Sequence, residues 1–274
     1  TEVPTPTPTP RPTPEPVEAE VLGFVPYWLF DVAAQSIDPS LLTIAAFHSV
    51  EAAQNGTLVS KKGDDVPGGW SMLQSDGFRQ LKDELQAADV KVVPVIQRAA
   101  WTAGARERTI TLLSKKKSRR ALVANIADFV RKRGFDGVNL NFEPLPQEVA
   151  GQFVLLVREL RVALDEIEPG LHLSVDVVSG LENFDLAALT AGDAADLAVL
   201  MGYDYRTRNS AVAGAVAPPE DPATSDPTST VEAALEPVDP DRLVRARPWY
   251  GVAGSTETDE ARSKVRSGDD LPAA

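Results

Sequence analysis

Seven apolar runs, most of them rich in Val, Ile and Leu, recur along the chain between longer mixed segments. Short runs of this kind that alternate with helix-length segments are typical of β-strands. We therefore predict seven strands. The runs are VLGFVPYW (21–28), LTIAAFHSV (42–50), KVVPVIQ (91–97), GVNLNFE (137–143), LHLSVDVV (171–178), LAVLMGY (197–203) and VRARPWYGV (244–252).

Two of the intervening segments have the apolar spacing of an amphipathic helix. The first covers residues 118–134, where Gly134 provides a C-terminal stop. The second covers residues 147–170, where Pro169 and Gly170 end the pattern. The positions that share a face are Leu122, Ile126, Phe129 and Val130 in the first segment, and Phe153, Leu156, Leu160, Leu164 and Ile167 in the second.

Strands that alternate with helices predict a parallel sheet with helices outside it, and the length suits a (β/α)8 TIM-type barrel. The tail after Gly254 has no apolar run that could form an eighth strand, so we expect the barrel to be truncated before strand eight. Residues 206–230, rich in Ala, Pro, Asp, Ser and Thr, are predicted to form a long loop after strand six.

The chain divides into a Pro/Thr-rich linker over residues 1–19 and a barrel domain over residues 20–274. Because proline fixes φ and lacks an N–H, the linker should be extended. Such spacers are typical of exported bacterial domains tethered to another module, so we expect an extracellular or cell-envelope location and a segment removed ahead of Thr1.

Composition narrows the classes of partner. A hydrophobic fraction of 43% and a charged fraction of 24% are those of a globular protein. A net charge of −13 argues against nucleic-acid binding. No apolar stretch approaches the roughly 20 residues of a membrane-spanning helix. The basic run Lys115–Arg120 is interpreted as the solvated start of a helix.

The fourth predicted strand carries polar side chains on one face. Asn139, Asn141 and Glu143 alternate with apolar residues. Burying an unpaired polar group costs roughly 2–7 kcal/mol, so three on one face must form a network or line a wet site. In a barrel, Glu143 would lie at the C-terminal end of the strand, where active sites of this fold are found. A hydrogen-bond network without a catalytic role remains the alternative.

The segment FDGVNLNFE (135–143) resembles the strand-four signature of glycoside hydrolase family 18, D-G-x-D-x-D-x-E. Weaker likenesses occur in the same order at FVPYW (24–28), LMGYDY (200–205) and RPWYGV (247–252). The resemblance covers roughly residues 20 to 255. It implies a catalytic barrel that hydrolyses β-linked N-acetylglucosamine polymers, such as chitin or peptidoglycan glycan, without a cofactor or metal.

The resemblance also assigns roles. Family members use the substrate's own acetamide as the nucleophile, in a retaining mechanism. Glu143 matches the general acid, and Asn141 and Tyr203 match the residues that hold and polarise the acetamide. Met201 and Asp204 match residues lining the sugar subsite. We expect Asp136 to order the start of the strand rather than to take part in the chemistry.

Two positions depart from the pattern. Asn139 and Asn141 each replace an Asp, and Asn141 brings no charge to balance the cationic intermediate. Hydrogen bonds to charged groups are worth about 1.5–3 kcal/mol against about 0.5–1.5 for neutral ones, so catalysis should be weakened rather than lost. The related endo-N-acetylglucosaminidases of family 85 use an Asn at this point.

Aromatic residues near strand ends are candidates for stacking on sugar rings, although large aromatics are also ordinary core residues. Those assigned to substrate binding, with Asn139, are Tyr27, Trp249 and Tyr250, and Trp70 and Trp101 could extend a glycan groove. His48 and His172 are far apart in sequence, so no metal site is predicted. His172, Ser174 and Asp176 share a parity on strand five and could point inward, or could be a structural network.

Three hypotheses follow. The first is a glycosidase acting on N-acetylglucosamine-containing glycans, favoured by the intact Glu143. The second is a catalytically silent glycan-binding module on the same barrel, favoured by the two Asn residues. The third is a purely structural scaffold, which the polar strand face disfavours.

Overall fold

The computed structural model describes residues 19–207, 215–218 and 226–248, together with the backbone of residues 250–255 and 262–267. The predicted linker, up to residue 18, lies outside the described residues.

The described residues form a parallel sheet of seven strands that follow one another in chain order, with β1 and β7 at its edges. This confirms the predicted α/β, TIM-type class, and an eighth parallel strand is not among the described elements. The seven strands are β1 (Leu22–Pro26), β2 (Ile44–Glu51), β3 (Lys91–Ala99), β4 (Gly137–Glu143), β5 (His172–Val178), β6 (Leu197–Met201) and β7 (Leu243–Ala246).

Each connection between consecutive strands of the parallel sheet contains at least one helix, because parallel neighbours need a crossover segment. The two helices expected from periodicity are present, and the longer of them ends at Gly134, whose φ of 60° only glycine adopts easily. The helices are α1 (Phe30–Ser36), α2 (Gly68–Met72), α3 (Asp76–Ala87), α4 (Ala103–Ser114), α5 (Lys116–Arg133), α6 (Ala150–Asp165), α7 (Leu186–Leu189) and α8 (Pro227–Leu235).

The seventh strand differs from the prediction. The expected single strand over residues 244–252 is divided into β7 and a separate strand β8 (Tyr250–Ser255). Pro248 lies between them, and a proline cannot donate a ladder hydrogen bond, so the parallel pairing ends before it. β8 pairs instead in antiparallel fashion with β9 (Arg262–Ser267), which the apolar pattern did not predict.

The predicted loop over residues 206–230 is wrong at its end, because α8 begins inside it. The Asp226 side chain accepts a hydrogen bond from the backbone N–H of Ser229, the Ser229 hydroxyl accepts one from the backbone N–H of Asp226, and Pro227 occupies the first turn. These are strong helix-start signals in a segment whose composition suggested a loop.

The core has two layers. The larger one lies between the sheet and the helices and includes Val138, Leu140 and Phe142, the outward residues of β4. The smaller one lies inside the curved sheet and contains only strand residues: Ile44, Ala46, Val93, Val95 and Leu197. The interior is therefore apolar along β6 and the first part of β2 and β3, and the buried polar residues Asn139, Asn141, Ser174 and Asp176 lie on β4 and β5.

The basic run Lys115–Arg120 was predicted to be solvated, but one of its residues is buried. Arg119 is buried, and its Nε and Nη2 lie 3.0 and 3.2 Å from the two carboxylate oxygens of Glu159 on α6. Its Nη1 also donates to the backbone oxygen of Leu113, at 3.0 Å. Arg119 thus joins α5 to α6 and to the end of α4.

Candidate active site

The polar face of β4 points into the curved sheet. Asn139 and Asn141 are buried, and Glu143 is half-buried at the C-terminal end of the strand. Because side chains alternate along a strand, the three apolar residues between them pack under the helices instead. The alternation in the sequence is therefore the alternation between barrel interior and helix layer.

Asn139 is tied to the neighbouring strand. Its Nδ2 donates to the Ser174 hydroxyl at 3.0 Å and to Oδ1 of Asp176 at 2.8 Å. Ser174 stands directly opposite Asn139 in the β4–β5 register. The interior of the sheet thus contains a network of an amide, a hydroxyl and a carboxyl group.

Glu143 has the environment of a proton donor. Burial raises the pKa of its carboxyl group, and the charge of Asp204 raises it further, while a hydrogen bond with the Asn141 side chain acts in the opposite direction. A raised pKa keeps a carboxyl group protonated closer to neutral pH, which a general acid requires.

Tyr203 and Asp204 follow the end of β6 and approach Glu143 from the other side of the interior. Burial raises the pKa of the Tyr203 hydroxyl, as do the charges of Asp176, Glu143 and Asp204, so the phenol stays protonated. Asp204 has a φ of 60°, a left-handed conformation that Asp adopts more readily than most residues. Met201, the last residue of β6, is buried between its partners on β5 and β7.

Asp176 is the member of this group that had not been assigned a site role. It is buried, and burial raises its pKa to about 8, aided by the charge of Glu143 and opposed by the hydrogen bond from Asn139. Its parity with Ser174 was visible in the sequence, but its distance from Asn139 depends on the pairing of β4 with β5. The structure brings together Asn139, Asn141, Glu143, Asp176, Tyr203 and Asp204.

The aromatic candidates are of three kinds: exposed rings near strand ends, one ring packed in the helix layer, and residues whose side chains are not described. Tyr27 and Trp28, after β1, are exposed, and their rings meet edge-on with centroids 4.9 Å apart. Trp28 also approaches His48 on β2, at 5.8 Å. Trp101, after β3, has 68% of its surface exposed. These rings lie beyond the C-terminal ends of strands and could contact a sugar.

The prediction that Trp70 extends a glycan groove is wrong. Its ring stacks on Phe129 of α5 at 5.3 Å, and the Arg133 guanidinium lies 6.0 Å from its centroid, so it belongs to the helix layer. Trp249 lies outside the described residues, and of Tyr250 only the backbone, at the start of β8, is described.

Asp136 lies at the opposite end of β4 from Glu143. Its Oδ2 accepts hydrogen bonds from the backbone N–H of Val92 at 2.7 Å and from Nε2 of Gln86 at 2.8 Å. These contacts join the start of β4 to β3 and α3. They are far from the polar interior, which fits the ordering role predicted for this residue.

Within residues 19–207 and the other described segments, no group of three His, Cys, Asp or Glu side chains could hold a metal ion. Over the same part of the chain, no helix has the length and apolar content needed to cross a membrane.

Comparison with known proteins identifies the family. The family model for glycosyl hydrolases family 18 matches residues 20–270. The Drosophila melanogaster protein named "Probable chitinase 2" is 30% identical over 246 residues, which cover 80% of this chain and 46% of the relative. The chain spans less than half the length of the curated relatives it matches.

Solved structures share the fold. A family 18 chitinase from Cycas revoluta, in complex with (GlcNAc)4, has a TM-score of 0.75 and 22% identity, over 91% of this chain and 78% of that one. The Bacillus cereus spore cortex-lytic enzyme SleL has a TM-score of 0.69 and 18% identity, over 92% of this chain and 56% of that one. Because the family model matches most of its length, the chain belongs to glycosyl hydrolases family 18, a family of glycosidases.

Proposed function

We propose that this chain hydrolyses β-linked N-acetylglucosamine-containing glycans by substrate-assisted, retaining catalysis. The observation that carries the proposal is the position of Glu143. It is a half-buried carboxyl group with a raised pKa at the C-terminal end of β4. The charge of Asp204 raises the pKa of Glu143, and the charge of Glu143 raises the pKa of Tyr203.

In the first step the acetamide oxygen of the substrate attacks the anomeric carbon while the bond to the leaving oxygen breaks. Glu143 gives its proton to that oxygen, and the departing sugar leaves with a hydroxyl group. The products are a shortened glycan, a cyclic oxazolinium ion and an ionised Glu143.

In the second step water attacks the anomeric carbon and gives its proton to Glu143. The oxazolinium ring opens, the acetamide is restored, and two displacements leave the original anomeric configuration. The Tyr203 hydroxyl stays protonated and is suited to donate a hydrogen bond to the acetamide oxygen of the substrate. The buried Oδ1 of Asn141 is suited to accept one from the acetamide N–H. Met201, Asp204 and Asn139 would line or support the sugar subsite.

The substrate class has support from the structural neighbours. The Cycas revoluta chitinase holds a chain of N-acetylglucosamine units, and SleL is named for lysis of the spore cortex. Tyr27 and Trp28, exposed beyond β1, offer ring faces to a bound sugar. Chitin-type and peptidoglycan-type glycans are therefore the two substrates to compare.

The second candidate is a glycan-binding module without turnover. It is favoured by Asn141, which offers no negative charge to a cationic intermediate where the strand-four signature has an Asp.

For either function, the proline-rich linker supports an extracellular or envelope location in which the barrel is tethered to another module. Fractionation of cells that produce the full-length protein tests this location.

Release of reducing ends from chito-oligosaccharides and from purified peptidoglycan tests the choice. Glu143→Gln keeps the shape of the side chain but cannot give a proton, so turnover should be lost while binding is retained. Glu148→Gln, in the connection after β4 and exposed, is the matched control and should act like the parent. A parent that binds sugar but releases no reducing ends would favour the binding module.

A further inference from the structure

The neighbouring strand brings a carboxyl group to the level of Asn141. The β4–β5 register pairs Asn139 with Ser174 and Leu140 with Val175, so the next residue on each strand is Asn141 and Asp176. Both side chains have the parity that points into the curved sheet. The family signature has carboxylates on β4, whereas this chain has two amides there and a carboxyl group on β5.

The surroundings of Asp176 are those of a group held for more than packing. Oδ1 accepts the 2.8 Å hydrogen bond from Asn139, while the buried Oδ2 has no hydrogen-bond partner among the described residues. Leaving a buried carboxyl oxygen unpaired is costly, and such groups concentrate at functional sites. The residue opposite Asp176 on β6 is the apolar Val199, so filling the interior at this level does not require a carboxyl group.

Titratable groups face Asp176 from two sides. The charge of Glu143 on β4 raises the pKa of Asp176, and the charge of Asp176 raises that of Tyr203 at the end of β6. Asp204 acts on both Glu143 and Tyr203. Asp176 is therefore electrically coupled to the group proposed as the acid, and the protons of the two carboxyl groups leave in linked steps.

We propose that Asp176 supplies this site with the carboxyl group that Asn141 does not, acting through Asn139 as a positioning residue. The inference rests on the proposed glycosidase function. Because Asp176 is an acceptor towards Asn139, it fixes the Nδ2 of that amide towards β5 and its Oδ1 away from it. Above its pKa of about 8, Asp176 is ionised and places negative charge beneath the subsite where the oxazolinium ion would form.

The test relocates the carboxyl group. At pH 9, where Asp176 is ionised, Asp176→Asn should lower kcat by about five- to thirty-fold with little change in KM, since it removes charge stabilisation of the transition state but no sugar contact. At pH 5, where Asp176 is protonated, parent and variant should have similar kcat, so the ratio of parental to variant kcat should rise as pH passes through about 8. Asn141→Asp combined with Asp176→Asn should recover parental kcat.

A purely structural Asp176 gives a different result. A folded Asp176→Asn variant with the parental kcat at both pH 5 and pH 9 would overturn the inference, as would a double variant no faster at pH 9 than Asp176→Asn. If Glu143→Gln is inactive at the same time, the proposed function survives this failure. The two failures are thus distinguishable.

If the parent itself hydrolyses no N-acetylglucosamine glycan, the proposed function fails and binding of (GlcNAc)4 tests the inference. The affinity of the parent should then change between pH 6 and 9, while that of Asp176→Asn should change less. Equal pH dependence in both proteins, or the absence of binding, would overturn the inference.

Discussion

Asn139 on β4 and Asp176 on β5 are joined by a 2.8 Å hydrogen bond inside the curved sheet. This contact links the strand with the family signature to a carboxyl group outside that signature. Since Asp176 is buried and its pKa is about 8, folding holds a proton on it at pH values where the unfolded chain does not. The contact therefore has consequences for stability as well as for catalysis.

We predict that Asp176→Asn is stabilising at neutral pH relative to the parent. The folded pKa of about 8 lies above the unfolded value of about 3.9, so the parent loses stability as pH rises from 4 to 8, by about 1.4 kcal/mol per pH unit. The advantage of the variant should grow by about 2–3 kcal/mol between pH 5 and 7. Urea unfolding at both values measures it.

Asp64→Asn is the control for this experiment, because Asp64 is exposed and the substitution removes the same charge. It should have no pH-dependent effect of this size. A difference between parent and Asp176→Asn that stays constant with pH would show that Asp176 is ionised in the folded protein.

His172 should make the fold sensitive to acid. Burial, with the charge of Lys91, lowers its pKa to about 4, below the unfolded value of about 6.5. Between these values only the unfolded chain binds the proton, so the free energy of unfolding should fall with falling pH by up to about 1.4 kcal/mol per unit. His172→Gln should reduce that slope.

The chain has one other histidine, His48, whose pKa burial also lowers to about 4. His48→Gln should therefore also reduce the pH dependence of the free energy of unfolding, independently of His172. The double variant should lack the contributions of both histidines to that pH dependence. A slope that is the same in the parent and in His172→Gln would mean that His172 is protonated in the folded state.

Arg119→Ala should destabilise the protein by about 3–5 kcal/mol, because it removes a buried cation that satisfies Glu159 and a backbone carbonyl. Arg120→Ala removes the same charge from an exposed neighbour and should change stability by about 0.5 kcal/mol or less. Thermal or urea unfolding of the two variants separates the contributions. Equal, small effects would contradict a structural role for Arg119.

Asn141→Asp should raise the turnover of a chito-oligosaccharide and move the alkaline limb of its pH–rate profile upward. A carboxylate at position 141 adds charge near the oxazolinium ion, worth about five- to thirty-fold in rate. It also exchanges the hydrogen bond that lowers the Glu143 pKa for a like charge that raises it. The rate should be measured from pH 4 to 9 in both proteins, and a limb that moves downward would contradict this electrostatic account.

Much of the fold could be predicted from the sequence, because strands covered by helices on one side and by the barrel interior on the other leave clear periodic patterns. The alternation in β4 predicted which residues face inward. The division of the seventh strand could not be predicted from apolar content, since it depends on Pro248 and on pairing with β9, a strand without an apolar run.

The site could be predicted only where a single strand carries the signal. Glu143 and Asn141 belong to one short motif, but Asp176 lies more than 30 residues further on, and only the β4–β5 register places it beside Asn139. The burial of Arg119 likewise depends on the packing of α5 against α6. The composition of the run Lys115–Arg120 predicted exposure to solvent, because five of its six residues are basic.

The anomeric configuration of the first product, followed by proton NMR as a chito-oligosaccharide is cleaved, tests the central claim most directly. The account predicts that the β-anomer of the new reducing end appears first and then equilibrates, and that Glu143→Gln gives no product. Initial release of the α-anomer, or cleavage by Glu143→Gln at the parental rate, would contradict substrate-assisted catalysis by Glu143.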